Sequence, residues 1–144
     1  MFKITRAHIV DPFLMGKPLP CNLGMSQEEV SSMIHRDEYC YTLWNNDKVV
    51  EIMGASFISG KVAYGWSYLS EEISGCKISF IKAMKKVIDE FFEVKKLNRF
   101  FVTVACTNSA AIRQNEWMGL SKEGVMRKSG LNGEDQFVLA KVRE

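Results

Sequence analysis

Residues 98–124 read NRFFVTVACTNSAAIRQNEWMGLSKEG, and this stretch decides the fold. Phe100 to Cys106 is β-branched, aromatic and apolar on both alternating faces, the pattern of a strand buried on both sides as in a parallel sheet. Thr107-Asn108-Ser109 follows, three residues that favour helix caps. A short helical pattern then carries Ala111, Ile112 and Trp117 as its apolar positions, with Gly119 placed to end it. Ser121 to Arg127 is extended again. Strand, short helix, glycine and strand make one compact unit.

Immediately upstream lies the longest helical pattern, about Lys77 to Leu97. Phe80, Met84, Val87, Phe91 and Val94 recur at three- and four-residue steps, and Ile81, Ile88 and Phe92 widen the stripe. Lys82, Lys85, Lys86, Asp89, Glu90 and Glu93 fall on the other face and read as a solvated surface. A strand precedes this helix at Val62 to Leu69, so strand, long helix and buried strand form a βαβ crossover. The two strands, near 62–69 and 100–106, are expected to run parallel across helix 77–97.

The N-terminal half reads as antiparallel. Phe2 to Ala7 alternates as a first strand, and Asp11 to Gly24 is an irregular loop holding all three prolines, with a helical turn near Phe13-Leu14-Met15. Ser26 with Glu29 three residues later is a capping box, opening a helix that turns Val30, Met33 and Ile34 inward and stops near Asp37. Tyr39 to Trp44 and Val49 to Ile58 form a hairpin about Asn45-Asn46-Asp47. Tyr64, Trp66 and Tyr68 are sheet residues with one face in the core. After the opening stretch, Ser129 to Asp135 is a hairpin loop and Gln136 to Val142 a last strand. The fold class is α/β (α+β): a mixed central sheet in the order β-α-β-β-β-α-β-α-β-β, within one domain, 1–144.

The chain has 144 residues and a formal net charge of +2, which gives no electrostatic case for nucleic acid or a membrane surface. No apolar run is long enough to span a bilayer, and MFKITRAHIV lacks a signal-peptide layout, so a cytosolic origin is expected. Cys21, Cys40, Cys76 and Cys106 are widely spaced and only His8 and His35 could assist them, so reduced thiols and no metal site are expected.

The element order and the opening stretch resemble the GNAT superfamily of N-acetyltransferases, over nearly the whole chain. Asn108, Ala111, Gly119-Leu120 and Glu123-Gly124 stand at the spacing of that family's motif, and Arg127 fits it too. A narrower likeness is to the GNAT-like internal virion proteins of short-tailed phages of the T-seven type. It is carried by Ser74-Gly75 before the long helix, Asn108 with Ile112-Arg113, and Gly119. That likeness implies a virion component or assembly factor, located in the virion or the host cytoplasm. Its partners would be other virion proteins of head, portal or tail, or further copies of itself.

The GNAT resemblance also implies a cofactor site. Acetyl-CoA would set its pyrophosphate over the N-terminus of the long helix, and its pantetheine arm where the two parallel strands diverge. The candidate cofactor residues are Ser74, Gly75, Cys76, Lys77, Ile78, Ser79 and Asn108. The family's Gln/Arg-x-x-Gly-x-Gly/Ala motif is poorly kept. One alignment puts Ser74, Lys77 and Ser79 in its places; another puts Glu72, Gly75 and Lys77 there. Glu71 and Glu72 add negative charge, and Lys77 opposes it. The plain alternative is a helix start capped by Ser74 with no nucleotide.

For catalysis, the family's proton-donating Tyr is replaced by Asn115, whose amide cannot do that work. Glu51, Glu71 and Glu72 are the carboxylates available as a general base, with an ordinary surface role as the plain alternative. Cys76 and Cys106 have no histidine at a spacing that would make them nucleophiles. Three functions follow: a GNAT-fold virion protein with a degenerate acetyl-CoA site that needs no cofactor, an active acetyl-CoA-dependent N-acetyltransferase with an atypical loop, or a non-catalytic effector that binds a host protein.

Overall fold

The computed structural model describes residues 2–19, 25–37 and 39–144; Cys21 and the end of the expected irregular stretch at Gly24 lie outside the described residues. The elements are β1 (Phe2–Arg6), α1 (Gln27–Arg36), β2 (Tyr39–Asn45), β3 (Lys48–Ser59), β4 (Val62–Leu69), α2 (Lys77–Val94), β5 (Arg99–Ala105), α3 (Ser109–Trp117), β6 (Ser121–Met126) and β7 (Gln136–Val142). Short 3-10 turns occupy Asp11–Leu14 and Glu71–Gly75. This is the expected order. The strands form a seven-stranded sheet in the order β1-β2-β3-β4-β5-β7-β6. The β1–β2, β2–β3, β5–β7 and β6–β7 ladders are antiparallel and the β4–β5 ladder is parallel, so the sheet is mixed as expected. By its internal contacts the chain forms two compact units, Met1–Ser56 with Gly65–Phe80, and Phe57–Tyr64 with Ile81–Glu144.

In the first unit the expected capping box opens α1. The Ser26 hydroxyl accepts from the Glu29 N–H at 3.1 Å, and the Glu29 carboxylate accepts from the Ser26 N–H at 3.2 Å. Val30 and Ile34 are buried and Met33 is half-buried. The β2–β3 hairpin turns through Asn46, whose φ is +54°. Asp37, just past α1, ties the helix to the sheet. Its carboxylate accepts from Trp66 Nε1 at 2.8 Å, from Ser56 Oγ at 2.7 Å and from Arg36 Nε at 2.9 Å. Burial alone would raise this acid, but the bonds from Arg36, Ser56 and Trp66 outweigh it and hold Asp37 below its ordinary value. A lowered carboxylate stabilises the fold above its unfolded pKa, and that contribution is lost as pH falls through the folded value. Asp37→Ala is expected to cost about 3 kcal/mol at neutral pH and to flatten the acid limb of the stability curve, measured by urea unfolding.

In the second unit α2 buries Ile81, Val87, Ile88, Phe91 and Phe92. The helix ends at Val94, short of the expected Leu97, because the chain turns left-handed at Lys96 (φ +53°). Arg143 then caps it, donating to the carbonyls of Phe92 and Leu97. Val94, expected on the apolar stripe, is the last residue of α2 and is 72% exposed. Asp89 is not simply a solvated charge: it bridges Lys85 at 3.0 Å and Lys141 of β7 at 2.6 Å.

β5 spans Arg99–Ala105 rather than Phe100–Cys106. The expectation of burial on both faces is corrected: Phe100 and Val104 are buried, and the other five residues are half-exposed. Phe100 and Val104 share one face, and the opposite face, with Arg99, Phe101, Thr103 and Ala105, is incompletely covered. β5 pairs antiparallel with β7 along its whole length, while its parallel ladder with β4 holds only Val62, Ala63 and Tyr64 against Arg99, Phe100 and Phe101. The expected breaker Gly119 does turn the chain after α3, at φ +96°. Ile112 is buried under α3, but Trp117 is 66% exposed rather than apolar core.

Candidate functional site

β4 ends in Ser70, which is fully buried. Its hydroxyl donates to the carbonyls of Val49 at 3.3 Å and Val50 at 3.1 Å, and it accepts from the Glu72 N–H at 3.3 Å. That last bond starts the turn Glu71–Gly75, and Cys76 closes it, donating its N–H to Ile73 at 3.0 Å and its thiol to the Glu72 carbonyl at 3.2 Å. α2 begins at once, and its first intrahelical bond runs from Phe80 N–H to Cys76 O at 3.0 Å.

The N–H groups of Lys77, Ile78 and Ser79 find no partner among the described residues. All three side chains are exposed, and a Cβ added at Gly75 would meet nothing within 4 Å. The Ser74 hydroxyl donates to the Glu71 carbonyl at 3.0 Å, so the expected Ser74 cap on the long helix is absent. A helix of 18 residues therefore presents three free amides and the positive end of its dipole to solvent. This geometry suits an anion.

The acids beside it are compensated. Lys17 stands 3.6 Å from Glu71, and Lys48 stands 3.2 Å from Glu72. Exposed pairs like these add little stability. They do cancel the negative field that Glu71 and Glu72 would otherwise set against an anion, a correction to the expectation that only Lys77 opposes them. Lys77 itself makes no ion pair among the described residues.

Glu51 is not a surface carboxylate. It lies in β3 opposite Leu43, is 0% exposed, and neither carboxyl oxygen has a hydrogen-bond partner among the described residues. Burial pushes it well above the ordinary range; Ser67, near but outside full hydrogen-bond geometry, works weakly the other way. Cys76 is also raised, first by burial and then by the charges of Glu72 and Glu51. Glu51 was readable as unusual in sequence: it interrupts the apolar run Val49-Val50-Glu51-Ile52-Met53.

The first unit thus gathers Glu51, Glu72 and the whole segment Ser74–Ser79. Asn108 and Asn115 belong to the second unit. Asn108 caps α3, its Oδ1 accepting from the Ala111 N–H at 3.1 Å. Asn115 donates its side-chain amide to the Ala111 carbonyl at 2.8 Å, within the helix. Cys40, Cys76 and Cys106 are free thiols; Cys40 is buried and its thiol is pushed up to about 12, first by burial and then by Asp37.

The Vibrio fischeri ribosomal-protein-S5-alanine acetyltransferase superposes on 98% of this chain and 92% of its own, at a TM-score of 0.77 and 17% identity. Ard1 from Thermoplasma volcanium superposes on 98% of this chain and 97% of its own, at 0.78 and 15% identity. This is the GNAT acetyltransferase fold. A third GNAT-fold neighbour is RimL, a ribosomal alpha-N-protein acetyltransferase in complex with coenzyme A, at a TM-score of 0.73 and 16% identity over 98% of this chain and 93% of its own. No family model matches the sequence, and no curated protein matches it. At such identities the likeness is one of fold, and the function of a GNAT fold has to be argued from its site. No helix among the described residues is long and apolar enough to cross a membrane.

Proposed function

We propose that this chain binds an acyl-CoA at the start of α2 and acts as an acetyltransferase of the GNAT type. The observation that carries the reading is the set of three unpartnered amides at Lys77, Ile78 and Ser79. They fit a pyrophosphate, with open space over Gly75 and an exposed Lys77 to add charge. When bound, acetyl-CoA supplies an acetyl group already activated as a thioester. RimL was solved with coenzyme A, which supports this class of cofactor. The β4–β5 ladder stops at Tyr64 and Phe101, which also suits a GNAT cofactor arm.

The residues of this chain divide their roles accordingly. Lys77–Ser79 bind the anion. Glu51, fully buried and sealed from solvent, gives an amine no access and is a poor acceptor for its proton. Glu72 is the carboxylate near the helix start that reaches solvent, held by Lys48, and it is the better candidate base. Lys77→Glu separates binding from folding. A glutamate there suits the helix dipole and keeps α2 stable, yet it repels a pyrophosphate. Titration calorimetry with coenzyme A is expected to show binding by the native chain, weakened about tenfold or more in Lys77→Glu. Absence of any heat at millimolar coenzyme A would sink the reading.

A second reading has its own observation. Asn115, at the place of the family's proton-donating Tyr, is committed to a bond inside α3. This favours a GNAT scaffold without catalysis. On the sequence likeness, such a scaffold would serve a phage particle as an internal virion or assembly protein, with head, portal or tail proteins or its own copies as partners. Co-purification with assembled particles, in the absence of coenzyme A binding, would support it.

A further inference from the structure

The backbone at the end of β4 makes a contact that the acyl-CoA reading does not require. Ser70 turns its N–H to Val50 at 3.0 Å, toward β3. Leu69 and Glu71, one residue to either side, therefore present their peptide groups to the opposite edge. That edge is occupied by the chain itself. Leu19 N–H donates to Leu69 O at 2.9 Å and Glu71 N–H donates to Lys17 O at 2.9 Å. The two bonds bracket an antiparallel bridge between Pro18 and Ser70. Upstream, Met15 forms a parallel bridge to Val49 and is buried, 7% exposed. Lys17 adds only the 3.6 Å pair with Glu71, and its side chain is 78% exposed. Gly16 and Lys17 lie at the surface, and Pro18 and Leu19 are half-buried. Among the described residues, the segment is pinned at Met15, and beyond it the backbone bonds to Leu69 and Glu71 and a weak ion pair hold it. Segments with so little buried apolar surface open at low cost.

A strand edge recognises amides, and an acyl-CoA carries amides in its arm behind the pyrophosphate. The groups at Leu69 and Glu71 stand one short turn before the free amides of Lys77–Ser79. A ligand anchored by its pyrophosphate at the helix start has this edge within reach of its arm. We propose that Lys17–Leu19 is a detachable strap that competes with the ligand of the α2 anion site for the backbone groups of Leu69 and Glu71. The proposal rests on the acyl-CoA reading and adds regulation to it. The strapped form is the closed state, and the apparent affinity is the intrinsic affinity reduced by the open fraction. Whatever draws the strap away, such as an acidic partner surface meeting Lys17, would raise affinity without touching the helix start.

Two variants and one exchange measurement test this. Leu19→Pro removes the donor to Leu69. Pro18→Gly loosens the backbone of the detached segment and so weakens the strap with no change of charge beside the helix start. Each is expected to bind coenzyme A about threefold to tenfold more tightly than the native chain by calorimetry, with melting curves confirming the fold. In the native chain, hydrogen exchange in the peptide covering residues 15–19 is expected to quicken when coenzyme A is added. Binding of coenzyme A with equal or lower affinity by folded Pro18→Gly, or with exchange at 15–19 unaltered, overturns the strap and leaves the acyl-CoA reading standing. No binding by the native chain or either variant at millimolar coenzyme A overturns both.

Discussion

Gly54→Ala is expected to destabilise the protein by about 3–5 kcal/mol, a large share of the stability of an ordinary domain. A Cβ at Gly54 would stand 2.3 Å from Cζ2, 2.4 Å from Cε2 and 2.8 Å from Nε1 of Trp66. Those atoms belong to a ring that is 8% exposed, so it has little room to retreat. Moving it also breaks the 2.8 Å bond from Trp66 Nε1 to Asp37 and leaves a buried carboxylate short of a donor. The cost is therefore overpacking plus a lost charge-assisted bond. Urea unfolding of Gly54→Ala, alone and combined with Trp66→Leu, checks it. The smaller side chain should recover much of the loss from the glycine change, so the double variant should be less destabilised than the two single changes added together. A cost below about 1 kcal/mol for Gly54→Ala would show that the ring yields freely.

Glu51 should govern how stability falls as pH rises above the ordinary carboxylate range. Its carboxyl is raised in the folded chain by burial, so the folded state holds the proton more tightly than the unfolded one. The sign follows: stability from this group is full below the ordinary carboxylate range and declines as pH climbs from there toward the raised folded value. The slope is about 1.4 kcal/mol per pH unit across that window. Glu51→Gln keeps the shape and removes the titration. It should lie near or below the native chain in stability at pH about 4, and gain on it steadily as pH rises toward the raised folded value. Thermal melts of both proteins across that range make the comparison. Parallel curves would mean that Glu51 is solvated and ionised in the fold, against its burial.

The two residues show where sequence reasoning reaches. That a glycine sits mid-strand at 54 and an acid interrupts an apolar run at 51 is visible in the chain. What each meets is not. Trp66 reaches Gly54 from the neighbouring strand β4, and its ring is laid over the glycine by burial and by its bond to Asp37, which no local pattern shows. The same limit explains the misread helix start. Ser74 has the right residue type for a cap, but the chain is already turned by Ser70, whose hydroxyl meets carbonyls twenty residues away. Likewise Glu71 and Glu72 look like unopposed charge beside the site until the fold sets Lys17 and Lys48 next to them.

Local rules therefore reached the element order, the capping box at Ser26 and the breaker at Gly119; the GNAT-like architecture came from the resemblance that this order carries. The local features depend on periodicity, caps and left-handed turns, which act over a few residues. Tertiary structure decided the rest. It ended α2 at Val94, left one face of β5 incompletely covered, sealed Glu51, freed the amides of Lys77–Ser79 and placed Lys17–Leu19 beside the end of β4. Each of these depends on which strand edge or side chain arrives from far along the chain. That is set by register and by competition for buried space, and neither is written in any short stretch of sequence.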